Sequence, residues 1–122
     1  MPHLIVEITE NTRLARSKEE LLDECNAALL ASGQFDEPSI KSRVIMLDTY
    51  RRGTEQGDRG FVHATLQILD GRDQAIRKDL GERVASAIAE CVRPGTEGQS
   101  VQVTVNVMEM ERATFAKQVI GG

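Results

Sequence analysis

The chain is poor in aromatic side chains and in metal ligands. Its 122 residues include one Tyr, three Phe and no Trp, so platforms on which nucleic-acid bases stack are scarce. The net charge of −4 and the absence of a Lys/Arg stripe also argue against a nucleic-acid partner. His3 and His63 are the only His, neither belongs to a metal-ligand spacing, and no glycine motif that cradles phosphate occurs. We therefore expect no nucleic-acid partner, no metal and no cofactor.

Long hydrophobic runs and cysteines are scarce as well. No apolar run is long enough to span a membrane, and the N-terminal segment lacks the charged start and apolar region of a signal peptide. We therefore expect a cytoplasmic protein without a membrane partner. Cys25 and Cys91 both fall on the apolar faces of predicted helices, which indicates buried free thiols.

The residues that are present predict a single domain, residues 1–122, with four strands. A domain of this length can bury an independent core. Residues 51–60 contain three Gly and no aliphatic side chain, which predicts a loop. Runs of β-branched and apolar residues, some strictly alternating with polar ones, predict strands at 2–8, 40–49, 61–69 and 101–109.

Two helices are predicted between these strands. Ser17 and Glu20 form a capping box at the start of the first helix, and Gly33 stands where its C-terminal end is expected. The second helix carries an apolar face that runs from Ile76 to Cys91. The element order is thus strand–helix–strand, repeated once.

The repeat predicts the architecture. The second unit begins about sixty positions after the first, which gives units at about 1–59 and 60–110 and a C-terminal tail at 111–122. Two helices can cover one face of a four-stranded sheet but not both faces. The predicted fold is therefore of the α+β class: a two-layer tandem β-α-β repeat, with two helices on one face of a four-stranded sheet.

The sheet face without helices is predicted to be semi-polar. It is either a solvated face or a face shared with other subunits, and uncharged polar and sulphur-bearing side chains favour the second interpretation. Its predicted members from the third and fourth strands are Phe61, His63, Thr65, Gln67, Gln102, Thr104, Asn106 and Met108.

The chain starts with Met1 and Pro2 directly before the first predicted strand. Pro2 can be an edge-strand proline, which needs no backbone donor, and the terminus alone favours this interpretation. The alternative requires removal of Met1, which leaves a rigid secondary amine. Such an amine acts as a base if an apolar site or neighbouring cations lower its pKa.

Three blocks of sequence, in order, carry a resemblance to a known family. They are PHLIVE at 2–7, IKSRV at 40–44 with Asp48-Thr49 after it, and FVHATLQI at 61–68 followed by Gly71-Arg72. Together they resemble the 5-carboxymethyl-2-hydroxymuconate isomerase family of the tautomerase superfamily, over about residues 2–110. The resemblance implies a tautomerase-like fold, assembled as a homotrimer with the sheets facing its centre. It also implies cofactor-free keto–enol isomerisation of an unsaturated dicarboxylic acid, in the breakdown of aromatic acids.

The resemblance also implies roles for individual residues. Pro2 corresponds to the proline that acts as the base, Arg72 to one substrate-binding arginine, and Lys41 to a position where the family has a second arginine. Lysine keeps the charge but lacks the planar fork that grips a carboxylate with two hydrogen bonds. Arg43 lies two residues further along the same predicted strand, points to the same side and can partly substitute.

Three functions therefore stay open. The first is isomerisation of 5-carboxymethyl-2-hydroxymuconate, and the second is tautomerisation of a different small enol or oxo-acid, which Lys41 suggests. The third is a trimeric homologue without turnover, which retention of Met1 would favour because Pro2 would then be an amide. Only the first strand begins at a chain terminus, so one site per chain is expected.

Overall fold

A computed structural model describes residues 1–55 and 57–122 of the chain. Position 56 of the predicted loop lies outside the described residues. Single 3-10 turns occur at Glu37–Ser39 and Arg112–Thr114. In chain order the other elements are β1 (His3–Thr9), β2 (Arg13–Leu14), α1 (Lys18–Ala31), β3 (Lys41–Leu47), β4 (Arg59–Leu69), α2 (Gln74–Cys91), β5 (Val92–Arg93) and β6 (Ser100–Met110).

The main sheet has four strands in the order β3-β1-β4-β6. Strand β1 runs parallel to β3, and β4 runs parallel to β6, as the crossover through a helix requires. The two central strands, β1 and β4, are antiparallel, with Val6 opposite Ala64. The sheet thus joins two β-α-β units in opposite directions, and the predicted repeat architecture is confirmed.

Both helices pack on one face of this sheet. In β1 and β4 every second side chain is buried, as in Val6 and Leu66, because successive strand residues point to opposite faces. Burial of each such aliphatic side chain contributes about 1.5–3 kcal/mol. The fully buried side chains opposite them on the helices are Leu21, Cys25, Leu29, Leu80, Val84, Ile88 and Cys91.

The helix-free face of the main sheet is only partly buried in the single chain. Strand β6 alternates half-buried Val side chains toward the helices with exposed residues on the other face, among them Asn106 and Met108. Met108 is 47% exposed, which is high for a large apolar side chain. The predicted alternation is thus confirmed, including the sidedness of the uncovered face.

The helix starts follow capping rules. Ser17 Oγ accepts a 3.1 Å hydrogen bond from the Glu20 N–H, and Glu20 Oε1 accepts a 3.3 Å bond from the Ser17 N–H, so the predicted capping box is present. Asp73 caps α2 by accepting a 2.9 Å bond from the Ile76 N–H. This cap fixes the start of α2 at Gln74, two residues after Arg72.

Strands β2 and β5 form a second, two-stranded sheet that the sequence did not predict. They pair Arg13 with Arg93 and Leu14 with Val92. Two-residue strands are too short to show a periodic pattern, so no sequence signal marks them. The pairing ties the segment after β1 to the end of α2.

Gly95 lies against the segment after β1, and we expect Gly95→Ala to destabilise the fold. A Cβ atom at this position would overlap the Asn11 carbonyl, which is backbone and cannot move aside cheaply. We expect the free energy of unfolding to fall by about 1–3 kcal/mol, measured by urea denaturation at fixed protein concentration. Gly122→Ala is the control, because an added Cβ there meets no described atom within 4 Å. Equal stabilities of the two variants would contradict the packing.

Both cysteines are buried and free, as predicted. Burial, with smaller contributions from Cys91 and Glu24, raises the pKa of Cys25 to about 12, and burial also raises the pKa of Cys91. Because the thiolate is the reactive form, we expect neither thiol to react within minutes with an aromatic disulfide reagent at mildly alkaline pH. In denaturant both thiols should react. Rapid modification of either thiol in the native protein would contradict this.

Candidate active site

The amino terminus lies close to several cations at one edge of the main sheet. This edge is formed by the ends of the four strands and is not an edge strand. Strands β1 and β3 begin at this edge, and β4 and β6 end there. The edge therefore collects Pro2, Lys41 at the start of β3, Arg72 after β4, and the C-terminal tail after β6. We call it the amino-terminal edge. Three of the four predicted site residues belong to it.

Pro2 is buried directly before β1. Its carbonyl accepts a 3.1 Å hydrogen bond from the Lys41 N–H, which joins it to the start of β3. Met1 precedes it and carries the amino group, and Met1 Sδ lies 3.7 Å from Lys41 Nζ. The sheet thus fixes Pro2 where the chain would start if Met1 were removed.

Arg72 is held by the segment that follows α1. Its Nε and Nη2 donate to the side-chain and main-chain oxygens of Gln34, both at 3.1 Å, and its Nη1 donates to the Leu69 carbonyl at 3.2 Å. Its guanidinium carbon lies 4.8 Å from the centre of the Phe35 ring, in cation–π range. Arg72 is therefore a half-buried, fixed cation, not a solvated charge at a helix end.

Lys41 and Arg43 lie on the same strand but in different surroundings. Lys41 Nζ donates to the Ser39 carbonyl at 2.8 Å, at the amino-terminal edge. Arg43 is exposed and its Nη1 lies 3.3 Å from Nδ1 of His3, further along the helix-free face. The structure therefore brings Lys41, and not Arg43, to the amino terminus.

The electrostatics of the amino terminus favour a neutral amine. Partial burial lowers the pKa of the Met1 amino group, and the charges of Arg72, Lys41, Lys117 and Arg112 lower it further, in that order. The cause is that an ammonium is poorly solvated there and is repelled by like charges. A neutral amine beside several cations can accept a proton from a bound anion and stabilise the negative charge that results.

Comparison with known proteins identifies the family. A family model described as 5-carboxymethyl-2-hydroxymuconate isomerase matches residues 2–120. The chain is 31% identical over 118 residues to the 5-carboxymethyl-2-hydroxymuconate Delta-isomerase of Escherichia coli, with 97% of this chain and 94% of that protein covered. The chain belongs to the 5-carboxymethyl-2-hydroxymuconate isomerase family. The predicted family and the predicted isomerase class are therefore confirmed.

Solved structures agree with this assignment. A 5-carboxymethyl-2-hydroxymuconate isomerase from Deinococcus radiodurans R1 is 25% identical, with a TM-score of 0.78 and coverage of 96% of this chain and 88% of that one. A fused 4-OT protein, described as a symmetric trimer, is 17% identical with a TM-score of 0.63, and the match covers 88% of this chain and 85% of that one. The second similarity shows the shared fold alone.

A separate cavity lies at the other end of the strands, away from the amino terminus. It has a volume of about 580 Å³ at the opposite sheet edge, where Tyr50 and Arg59 are among its lining residues. Its arginines are engaged: Arg52 donates to the carbonyls of Gly60 and Ser100, both at 3.0 Å, and Arg59 pairs with Glu55 at 3.6 Å. Among the described residues that line this cavity there is no lysine and no terminal amino group, whereas the amino-terminal edge has both.

Several residues of the amino-terminal edge were not predicted from the sequence. Gln34 and Phe35 sit in an irregular connection, and Arg112 and Lys117 sit in the tail, so no periodic pattern marks them. The only available signal was the presence of two cations in a tail otherwise rich in uncharged residues.

In residues 1–55 and 57–122, no three His, Cys, Asp or Glu side chains converge as a metal site would require. The same residues include no helix long and apolar enough to cross a membrane.

Proposed function

We propose that the chain catalyses cofactor-free keto–enol isomerisation of 5-carboxymethyl-2-hydroxymuconate, with the Pro2 amine as the base. This unsaturated acid carries two carboxylates on its muconate backbone and a third on its carboxymethyl arm. The observation that carries the proposal is the amino terminus of a family member held beside Arg72 and Lys41. The name of the Escherichia coli relative supports the substrate class. On the family resemblance we assign the activity to the cytoplasmic breakdown of aromatic acids.

The reaction needs one base that reaches both ends of a conjugated enol. After removal of Met1, the Pro2 amine takes the proton of the substrate hydroxyl: the O–H bond breaks, and the electron pair moves through the conjugated system as a dienolate. The protonated amine then returns the proton to a distant carbon, which forms a C–H bond and leaves a ketone. No net proton, electron or group is gained or lost. The base stays in place because the β1–β3 pairing holds Pro2.

Arg72 and Lys41 stabilise the negative charges of the substrate and of the dienolate. Arg72 has N–H groups beyond the three that bind Gln34 and Leu69, and these have no hydrogen-bond partner among the described residues. They can bind a substrate carboxylate or the dienolate oxygen. Lys41 supplies a second charge on the other side of the amino terminus. Because these groups are fixed before substrate arrives, they stabilise the developing anion without reorganising.

An absorbance assay tests the proposal. The processed protein, with a free Pro2 amine verified by intact mass, is expected to accelerate the loss of dienol absorbance of 5-carboxymethyl-2-hydroxymuconate above the buffer rate. A monocarboxylate enol such as phenylenolpyruvate serves as the comparison substrate. Turnover of the monocarboxylate alone would support the alternative function on a different enol. Absence of turnover with both would support the homologue without catalysis.

We further propose that the protein is a homotrimer assembled through the helix-free sheet face. That face carries uncharged polar groups, such as His63 and Thr104, whose ring nitrogen and hydroxyl lie 2.7 Å apart. The fold shared with the 4-OT protein described as a symmetric trimer supports the same assembly.

Light scattering at low micromolar concentration is expected to give three times the chain mass of 13.5 kDa. Asn106→Glu places a charge on the proposed interface, where Asn106 is exposed in the single chain, and is expected to shift the protein toward monomers. A wild-type monomer at every concentration would refute the assembly.

A further inference from the structure

The C-terminal tail is anchored at the amino-terminal edge. The Met110 carbonyl, at the end of β6, accepts a 3.0 Å hydrogen bond from the Asp70 N–H. Arg112 then binds the same residue twice: its N–H donates to Asp70 Oδ1 at 3.3 Å, and its Nη2 donates to the Asp70 carbonyl at 3.1 Å. Asp70 stands only two residues before Arg72. The tail therefore starts beside the guanidinium that we assign to the substrate.

Lys117 extends this anchored segment toward the amino terminus. Strand β6 lies two strand spacings, about 10 Å, from β1. The five residue-to-residue steps from Arg112 to Lys117 can span at most about 17 Å, which is enough to cross that distance. Phe115, between them, is half-buried and so holds the tail against the protein. Among the described residues no ion pair or hydrogen bond engages the ammonium of Lys117.

We infer that the C-terminal tail forms one side of the active site, that Lys117 binds a third carboxylate of the substrate, and that Arg112 is the positioning residue that holds the tail. This inference rests on the proposed function and extends it to the substrate class. The muconate backbone carries two carboxylates, and a carboxymethyl arm adds a third. Arg72 and Lys41 supply two fixed cations, so a tricarboxylate needs one more.

The tail determines substrate specificity because the charge of Lys117 balances the third carboxylate of the substrate. A carboxylate brought into a partly buried site without a cation loses hydration that nothing replaces. Lys117 supplies that partner for the carboxymethyl arm, whereas a dicarboxylate without the arm has no group to place there. Its charge already acts at this edge, because Lys117 contributes more than Arg112 to the lowered pKa of the amino terminus. The tail thus selects the tricarboxylate over the dicarboxylate that lacks the carboxymethyl arm.

The test compares two substrates in two lysine variants. For Lys117→Ala we expect kcat/KM for 5-carboxymethyl-2-hydroxymuconate to fall about 10- to 100-fold, with little change for 2-hydroxymuconate, which lacks the arm. Lys78→Ala is the matched control, because Lys78 is exposed on the outer surface of α2, paired with Glu82 at 3.1 Å. An equal fall for both substrates, or no fall, would overturn the role of Lys117.

Equilibrium binding separates this inference from the proposed function. Calorimetry with tricarballylate and glutarate, which need no turnover, should show that the wild-type protein prefers the tricarboxylate and that Lys117→Ala removes the preference. If the wild-type protein shows this preference but does not turn over 5-carboxymethyl-2-hydroxymuconate, the proposed function alone is refuted. A wild-type protein without the preference would overturn the inference.

The positioning role of Arg112 has its own readout. If Arg112 acts through Lys117, then Arg112→Ala lowers the tricarboxylate preference, and the double variant with Lys117→Ala is no worse than Lys117→Ala alone. Arg112→Lys should restore part of the preference, since it keeps the charge beside Asp70. Fully additive effects of the two substitutions would show that Arg112 does not act through the tail lysine.

Discussion

A form of the protein that retains Met1 is expected to be folded and inactive. Retention converts the Pro2 nitrogen into an amide, which accepts no proton near neutral pH. Met1 also occupies the space beside Lys41, with its Sδ 3.7 Å from Nζ, where a substrate carboxylate would bind. In the dienol absorbance assay, the processed form should therefore accelerate the reaction, whereas the Met1-retaining form should not exceed the buffer rate.

Pro2→Ala provides the graded comparison for this result. Its processed form ends in a primary amine that is less rigid and differently basic, so we expect kcat to fall about 10²- to 10⁴-fold without reaching zero. Circular dichroism and light scattering on the same samples verify the fold and assembly, because Pro2 also pairs with Lys41 across the sheet. Equal rates from the Met1-retaining and processed proteins would refute the proline base and direct the search to side chains such as His63.

Arg72→Ala is expected to be the most damaging substitution of a cation at the amino-terminal edge. Removal of one partner of a desolvated charge pair costs about 2–5 kcal/mol, which is roughly 30- to 4,000-fold in kcat/KM for a carboxylate substrate. Arg83→Ala is the control, since Arg83 forms an exposed pair with Asp79 at 2.7 Å. Loss of this pair should lower the free energy of unfolding by about 0.5 kcal/mol and leave kcat/KM unchanged. Arg77 is a poorer control because its Nε donates to the Arg72 carbonyl at 3.3 Å.

The pH profile adds a second readout for Arg72. Its charge lowers the pKa of the Met1 amino group. We expect it to lower the pKa of a Pro2 amine exposed by removal of Met1 in the same way, so that loss of Arg72 raises that pKa. The base is then protonated up to a higher pH, and the acidic limb of the kcat/KM profile should move to higher pH in Arg72→Ala. The limb should stay in place in Arg83→Ala. Equal activities and equal profiles in both variants would show that Arg72 has no role in the site.

The regular elements were predictable from the sequence because their signals are local. The Val–polar alternation of β6 and the Ser17–Glu20 capping box each specify one structure within a few residues. The repeat of two β-α-β units followed from the sixty-residue spacing of similar strands, whereas the antiparallel pairing of β1 with β4 was not predicted. The strands β2 and β5 did not follow, because two residues carry no period and their pairing depends on contacts far apart in sequence.

The residues of the candidate site could be proposed from the sequence only where the family resemblance supplied them. Pro2, Lys41 and Arg72 lie close to predicted strand ends, so the fold brings them together once the sheet order is known. Arg43 lies on the same side of the sheet as Lys41, with its Nη1 3.3 Å from Nδ1 of His3, and its assistance to Lys41 stays a prediction. Gln34, which holds Arg72, is 38 residues away from it in sequence, and no local pattern could indicate such a contact.

The antiparallel centre of the main sheet has a consequence for the number of reaction centres. By the approximate symmetry of the two units, Val62 stands in the second unit where Pro2 stands in the first. Val62 lies inside β4, joined by peptide bonds on both sides. One chain that contains both units therefore has one terminal amine for two units. A reagent that captures basic amines of chain ends should label this protein with a stoichiometry of one per chain, half that of two unlinked units.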